Sequence, residues 1–277
     1  MLAEQTLPSR IAPPLLLAPP ADLFIRRAAR LRHLAAGHAL APWLGWLAEL
    51  CTAQQQVLDQ LSVAAGAAPA ALREAVPAAY AALLSATPDA PPALAPEALG
   101  RRIERNLLLA AGEAVAAGRD LDDLVVAAAM QAVWTAAARR AGEPAANPSN
   151  AESCPHCGSA AVGSIVLAGD GKEGLRYQEC CLCATRWNVV RARCTLCADG
   201  AVVDYLSLDG GNGAIAAETC DHCHGYAKIC FAAKDRDADP FADDLATLAL
   251  DVLVGEQGHA RAAPNLFLCE GEVVARD

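Results

Sequence analysis

Cys154-Pro-His-Cys157 and Cys180-Cys181-Leu-Cys183 are separated by 22 residues, and so are Cys194-Thr-Leu-Cys197 and Cys220-Asp-His-Cys223. The second set repeats the first at a constant offset of 40 residues, the mark of a duplicated supersecondary unit. Two cysteines two residues apart in a tight turn can aim both sulfurs at one ion from one side, and a second such turn completes a tetrathiolate tetrahedron. The expected ligand sets are Cys154, Cys157, Cys180, Cys183 and Cys194, Cys197, Cys220, Cys223. A pairing of first turn with third and second with fourth stays open, although a tandem duplication favours each copy closing its own site. Four thiolates suit zinc and a mononuclear rubredoxin-type iron alike, so the spacing predicts two metal sites without choosing the metal.

The other donors nearby read as accessories. Cys181 is a third thiol between two ligands and is expected to be a spare. His156, His222 and His224 sit in or beside the knuckles, but eight thiolates already complete both sites. Lys172, Arg176, Arg186, Arg191, Arg193 and Lys228 either offset the negative charge of the thiolate clusters or form a solvated strand face. Closed tetrathiolate sites leave no position for substrate, and no Gly-rich phosphate loop or His-x-Glu motif accompanies them, so a non-enzymatic protein is expected.

The elements that must hold the knuckles follow from punctuation. Gly169-Asp-Gly171 with Gly174, and Gly210-Gly-Asn-Gly213, mark reversals. Ile165-Val-Leu167 flanks the first, and Val202-Val203 with Tyr205-Leu206 precedes the second. Each copy therefore reads as knuckle, hairpin, knuckle and exit strand, the exits being Trp187–Val190 and Tyr226–Ile229. The modules are expected over residues 151–190 and 191–234, each of zinc-ribbon or rubredoxin-like form.

Upstream, residues 22–145 read as an alanine-rich helical bundle. Asp22 caps a helix to about Ala36, and Pro42 opens the next, whose stripe of Trp43, Trp46, Leu47, Leu50, Val57, Leu58 and Leu61 is expected to be buried. One helix is expected around Ala70–Leu84, then Glu97–Ala117, then Leu121–Ala141 with Asp120, Asp122 and Asp123 at its positive end. Residues 142–150 read as a linker. After the second module, Asp239 caps a helix from Pro240 with Leu245, Leu248, Ala249, Val252 and Leu253 as its apolar stripe, ended by Gly255. The fold class is thus α+β: an N-terminal helical bundle, two tandem four-cysteine modules, and a C-terminal helix with tail over 235–277.

Composition narrows the function classes. The net charge is −10 over 277 residues, and residues 235–277 alone carry ten acidic against three basic side chains. No segment has the basic excess that phosphate binding needs, and four each of Phe, Trp and Tyr give little stacking surface, so nucleic-acid binding is not expected. Paired metal-type cysteines point to reducing cytosol. Cys51, Cys230 and Cys269 read as small buried hydrophobes. Residues 1–21 hold Leu15-Leu-Leu17 between prolines, too short and broken for a signal peptide or membrane span, and are expected to form an extended arm.

The combination Cys154-Pro-x-Cys157-Gly158, Arg176-Tyr177, Trp187 with Val189-Val190-Arg191, Ser207-Leu208-Asp209, Glu218-x-Cys220-x2-Cys223-x2-Tyr226-x-Lys228 and Ala242-Asp-Asp-Leu245 resembles the formate dehydrogenase accessory proteins known as FdhE, over about residues 150–268. Cys181, Cys230 and the tail Ala263-Pro-Asn-Leu-Phe267 depart from that pattern. The resemblance implies a cytoplasmic maturation factor that binds the catalytic subunit of formate dehydrogenase before its export by the twin-arginine route, with rubredoxin-like iron at the knuckles. A homodimer stays open, as does an electron carrier as the alternative function. The acidic C-terminal segment, through Asp243, Asp244 and Asp251, is a candidate contact for a basic partner surface or the twin-arginine signal.

Overall fold

The computed structural model describes residues 14–115, 118–142, 148–169, 172–191, 193–199 and 203–268. Among these residues the N-terminal half holds five helices: α1 (Leu23–Ala35), α2 (Ala41–Gln60), α3 (Pro69–Ala86), α4 (Pro96–Ala110) and α5 (Leu121–Ala138). Helix α5 is the axis. Asp120 and Asp123 form a reciprocal capping box at its start, satisfying amides the helix leaves without partners. Its length and apolar composition would let it cross a membrane, but 83% of that window is buried by the rest of the protein, so it is the core onto which α2, α3 and α4 pack. Small side chains such as Ala127, Ala128 and Ala129, all fully buried, allow that close approach.

Three local expectations shift. Helix α4 stops at Ala110 rather than Ala117, because Gly112 takes φ +86° and the Glu113 amide returns to the Leu108 carbonyl, a glycine C-cap. Trp43 and Trp46 are half-buried and stack on each other at 6.0 Å, while Leu44, Leu47, Leu50 and Cys51 supply the buried stripe. The expected C-terminal helix is two: α6 (Pro240–Ala246) and α7 (Leu248–Glu256). They break at Thr247 because the Lys228 ammonium donates to the carbonyls of Asp244 and Thr247 at 2.9 and 3.0 Å.

Eight strands among the described residues form one sheet: β1 (Leu16–Leu17), β2 (Ala161–Val166), β3 (Arg176–Cys180), β4 (Arg186–Val189), β5 (Val203–Leu206), β6 (Ile215–Cys220), β7 (Gly225–Phe231) and β8 (Ala260–Arg261). Their order is β1-β4-β3-β2-β7-β6-β5, with β8 beside β7. The duplication is visible in the register: Arg176 faces Val189 in one copy, and Ala216 faces Ile229 in the other. The copies join head to tail through the parallel pair β2–β7. Glycine is required at that seam, since a Cβ on Gly163 would lie 2.7 Å from the Lys228 carbonyl oxygen. The N-terminal arm contributes β1, which extends the sheet beside β4.

Buried ion pairs weld these parts. Arg27 of α1 meets Glu179 of β3 at 3.0 Å and Asp239 at 3.2 Å, and its guanidinium lies 4.3 Å from the Phe241 ring centre. Arg30 meets Asp243 at 2.5 Å and Asp235 at 2.8 Å. Arg176 joins the two copies through Glu218 at 2.8 Å. Lys228 contacts Asp244 at 3.0 Å and Asp251 at 2.6 Å, and Arg261 pairs with both acids. The basic side chains expected to balance thiolates or coat a strand therefore do neither at Arg176 and Lys228, where they are buried against carboxylates. Two of the three acids expected to meet a basic partner are likewise consumed inside the molecule: Asp243 and Asp244 are each 1% exposed, while Asp251 is half-buried and pairs with Lys228 and Arg261. Burial opposes ionisation of Asp244, yet Lys228 and Arg261 hold its carboxyl below the ordinary value.

Candidate metal centre

Each knuckle is a tight turn of the same design. The amide of the first cysteine bonds to the carbonyl five residues on in three of them: Cys154 to Ser159, Cys180 to Thr185 and Cys194 to Asp199, at 2.8, 2.9 and 3.0 Å. The residue after the second cysteine is left-handed in all four turns: Gly158 (φ +75°), Ala184 (φ +55°), Ala198 (φ +59°) and His224 (φ +52°). Only one is glycine. For the other three the conformation is uphill by about 1–2 kcal/mol each, so something else in the turn must hold it.

The structure brings Cys154, Cys157, Cys180 and Cys183 together, and separately Cys194, Cys197, Cys220 and Cys223, with all four sulfurs of each set within 4.8 Å of one another. Each copy gathers its own cysteines, so the interleaved pairing does not form. In the first set Cys154–Cys183 and Cys157–Cys180 are 3.5 Å apart and Cys157–Cys183 3.6 Å. In the second, Cys197–Cys220 is 3.9 Å and Cys194–Cys223 is 4.0 Å. A tetrahedron with metal–sulfur bonds of about 2.3 Å has edges of about 3.8 Å, whereas a disulfide would need about 2.05 Å. Both tetrads thus have the dimensions of a site that could hold a metal ion.

The surroundings of the two tetrads differ. Cys154, Cys180 and Cys183 are at most 3% exposed, and with Cys181, Leu182, Ala184 and Trp187 they belong to the same hydrophobic core as α1–α5. Cys181 is outside the group of four, its thiol 3.6 Å from the Ala110 carbonyl, and Gln131 of α5 donates to the Cys181 carbonyl at 2.8 Å. Amides of Leu182 and Cys183 donate to the Cys180 sulfur at 3.4 and 3.3 Å, and the Thr185 hydroxyl lies 3.2 Å from the Cys183 sulfur. Burial pushes the Cys180 and Cys183 thiols well up, while hydrogen bonds from Cys154, Cys180 and Cys183 hold Cys157 well below its ordinary value. A cation that displaced the remaining protons would offset most of the charge of the thiolates it created and tie the four buried sulfurs together.

The second tetrad lies beside the surface. Cys194 and Cys220 are buried, Cys197 is half-buried and Cys223 is exposed. His222, 61% exposed, stands where the first copy has Leu182, and its ring lies 3.7 Å from Asp199. His224 and His259 face each other at 6.2 Å. Burial raises the Cys194 thiol to about 12. Among the remaining cysteines, Cys51 and Cys230 are buried, and Cys269 lies outside the described residues. Sequence reasoning missed Thr185 and the left-handed residues after each knuckle. Setting the copies side by side at their 40-residue offset would have singled out Thr185, which falls opposite Gly225; the left-handed alanines and histidine carry no such signal.

Three family models match the chain: FdhE, N-terminal, over residues 12–118; FdhE, central domain, over 153–191; and FdhE, C-terminal domain, over 192–268. A protein described as an FdhE homolog from Pseudomonas aeruginosa is 36% identical, with 94% of each chain covered. One from Edwardsiella ictaluri is 37% identical over 94% of this chain and 92% of its own. The crystal structure of the FdhE protein from Pseudomonas aeruginosa superposes with a TM-score of 0.74 at 32% identity, covering 93% of this chain and all of that one. With both tetrads lying inside the matched segments, this chain belongs to the FdhE family.

Proposed function

We propose that this protein is a cytoplasmic, non-enzymatic maturation factor for formate dehydrogenase that binds the enzyme's catalytic subunit through a scaffold held by two metal ions. The observation that carries the reading is that family likeness runs through the helical half and both tetrads alike. Cys154, Cys157, Cys180 and Cys183 hold one ion, and Cys194, Cys197, Cys220 and Cys223 the other. Each module takes the zinc-ribbon or rubredoxin-like form, with residues 22–145 as the helical unit beside them. Bound to either metal, a tetrathiolate centre contributes fixed shape, and with iron also a one-electron couple. The surface position of Cys223 favours an electron-carrying role as the second reading.

Purified full-length chain carrying an affinity tag tests both. The proposal expects it to retain the catalytic subunit of formate dehydrogenase with its twin-arginine signal still attached; a catalytic subunit that passes through unretained contradicts it. A red protein whose visible absorbance bleaches with dithionite supports iron and keeps the electron carrier, while a colourless zinc protein removes that second reading.

A further inference from the structure

The two copies repeat one turn design and the same arrangement of four sulfurs but have different neighbours, and the differences are concentrated at a few equivalent positions. In the first copy Cys181, Leu182, Ala184 and Thr185 surround Cys183, each at most 5% exposed. In the second copy Asp221, His222, His224 and Gly225 take those places, and the first three are exposed. The decisive exchange is at the last of them. Thr185 places a hydroxyl 3.2 Å from the Cys183 sulfur, whereas Gly225 brings no hydroxyl to Cys223; the place of its missing Cβ, 3.4 Å from the Cys223 sulfur, is bordered by the apolar end of Leu196 at 2.8 Å. Cys223 is exposed where Cys183 is fully buried, so the fourth corner of the second tetrad is reached from solvent and the equivalent corner of the first is walled in.

We infer that the second centre is an exchange site, open at Cys223 to a thiol donor from solution or from a partner's cysteine, while the first, whose least covered sulfur is the half-buried Cys157, is a structural site. This rests on the metal-binding reading above. In the exchange Cys223 gives up its bond to the ion, the incoming thiol forms one in its place, and the proton released by that thiol passes to the Cys223 sulfur. The step conserves charge and oxidation state. Buried Cys194 and Cys220 remain attached and keep the ion in place while the fourth donor changes. The same approach to Cys183 is blocked by the core it shares with Leu182, α4 and α5, so displacing that sulfur requires opening the core. Outer-shell partners of metal ligands are worth about 10–100-fold in metal retention, and among the described residues only the first tetrad has a side-chain partner of that kind at its fourth cysteine.

The test is metal release from the full-length chain loaded with zinc, followed with a colorimetric zinc chelator at increasing dithiothreitol. The inference expects two ions per chain leaving in two phases, the fast one about 10–100-fold quicker and rising in rate with dithiothreitol, the slow one independent of it. Iodoacetamide on the loaded protein should mark Cys223 before any other tetrad cysteine. Gly225→Thr, which adds the first copy's cover, should slow the fast phase alone; its β-carbon approaches Leu196 Cδ1 at 2.8 Å, a side-chain end able to turn aside, and Gly225→Ser serves if the threonine variant misfolds. Two ions leaving in a single phase, a fast phase indifferent to thiol, or alkylation of Cys157 as early as Cys223 would overturn the inference alone. A fully refolded chain holding fewer than two ions would overturn it together with the two-centre reading.

Discussion

The first tetrad is part of a protein core; the second is part of a protein surface. Both follow one sequence pattern, so the contrast shows what the neighbours of a four-cysteine motif decide once its spacing is fixed. In the first copy apolar residues fill the knuckle, and the turn docks on α4 and α5 through Leu182, Cys181 and Gln131. In the second copy polar residues fill the same turn, and α7 and β8 pack on β6 and β7 while the tip stays in solvent. A site joined to the core shares its stability; one at the rim can open locally at lower cost.

The largest way to break the contrast is to remove one ligand from each copy. Cys180→Ser should release its ion and lower the melting temperature of the helical half as well, read from helical circular dichroism, because an unmetallated first knuckle leaves polar groups inside a shared core. Cys220→Ser should release its ion with the α1–α5 transition nearly unchanged. Equal losses from the two variants would mean that the copies are energetically alike.

A smaller and cleaner comparison uses the non-ligand inside each knuckle. Leu182→Ala should cost about 2–5 kcal/mol by denaturant unfolding, since a fully buried leucine leaves a cavity. His222→Ala, at the equivalent exposed position, should fall within about 0.5 kcal/mol of wild type. The smallest effect concerns the left-handed residues. Ala198→Gly should stabilise by about 0.5–1 kcal/mol, the relief of left-handed strain less the added freedom of glycine in the unfolded chain. Ala184→Gly should be close to neutral, because the same relief is offset by about 0.8 kcal/mol from a methyl group that is 5% exposed in the core. A stabilisation at 184 as large as that at 198 would argue that the first knuckle is looser than the structure shows.

Much of this was legible from residues alone, for reasons that are local. Cysteine spacing is a statement about turns, and the 40-residue repeat is a statement about duplication, so the four pairs of thiols and the preference for tandem closure were local, while the choice against interleaved pairing came from the fold. Proline and aspartate marked the starts of α2, α5 and α6 for the same reason. What stayed hidden depends on distance in the chain. Arg27 and Glu179 are 152 residues apart, and nothing near Arg176, Lys228, Asp243 or Asp244 announces that each has a buried partner. Their charges look like surface until the fold closes over them. The break at Thr247 is of this kind too, made by a lysine from β7 rather than by a residue in the helix. Trp43 and Trp46 mislead in the opposite sense, since aromatic residues at core spacing here stack on each other at the rim of α2.

The most direct test of the two-centre reading is the metal stoichiometry and sulfur coordination of the full-length protein and of its Cys180→Ser and Cys220→Ser variants, purified without oxygen. Two ions per wild-type chain, one in each variant, with four sulfurs at about 2.3 Å in X-ray absorption, is the predicted result. Loss of both ions from either single variant, or wild-type protein whose cysteines are joined as disulfides without metal, would contradict it.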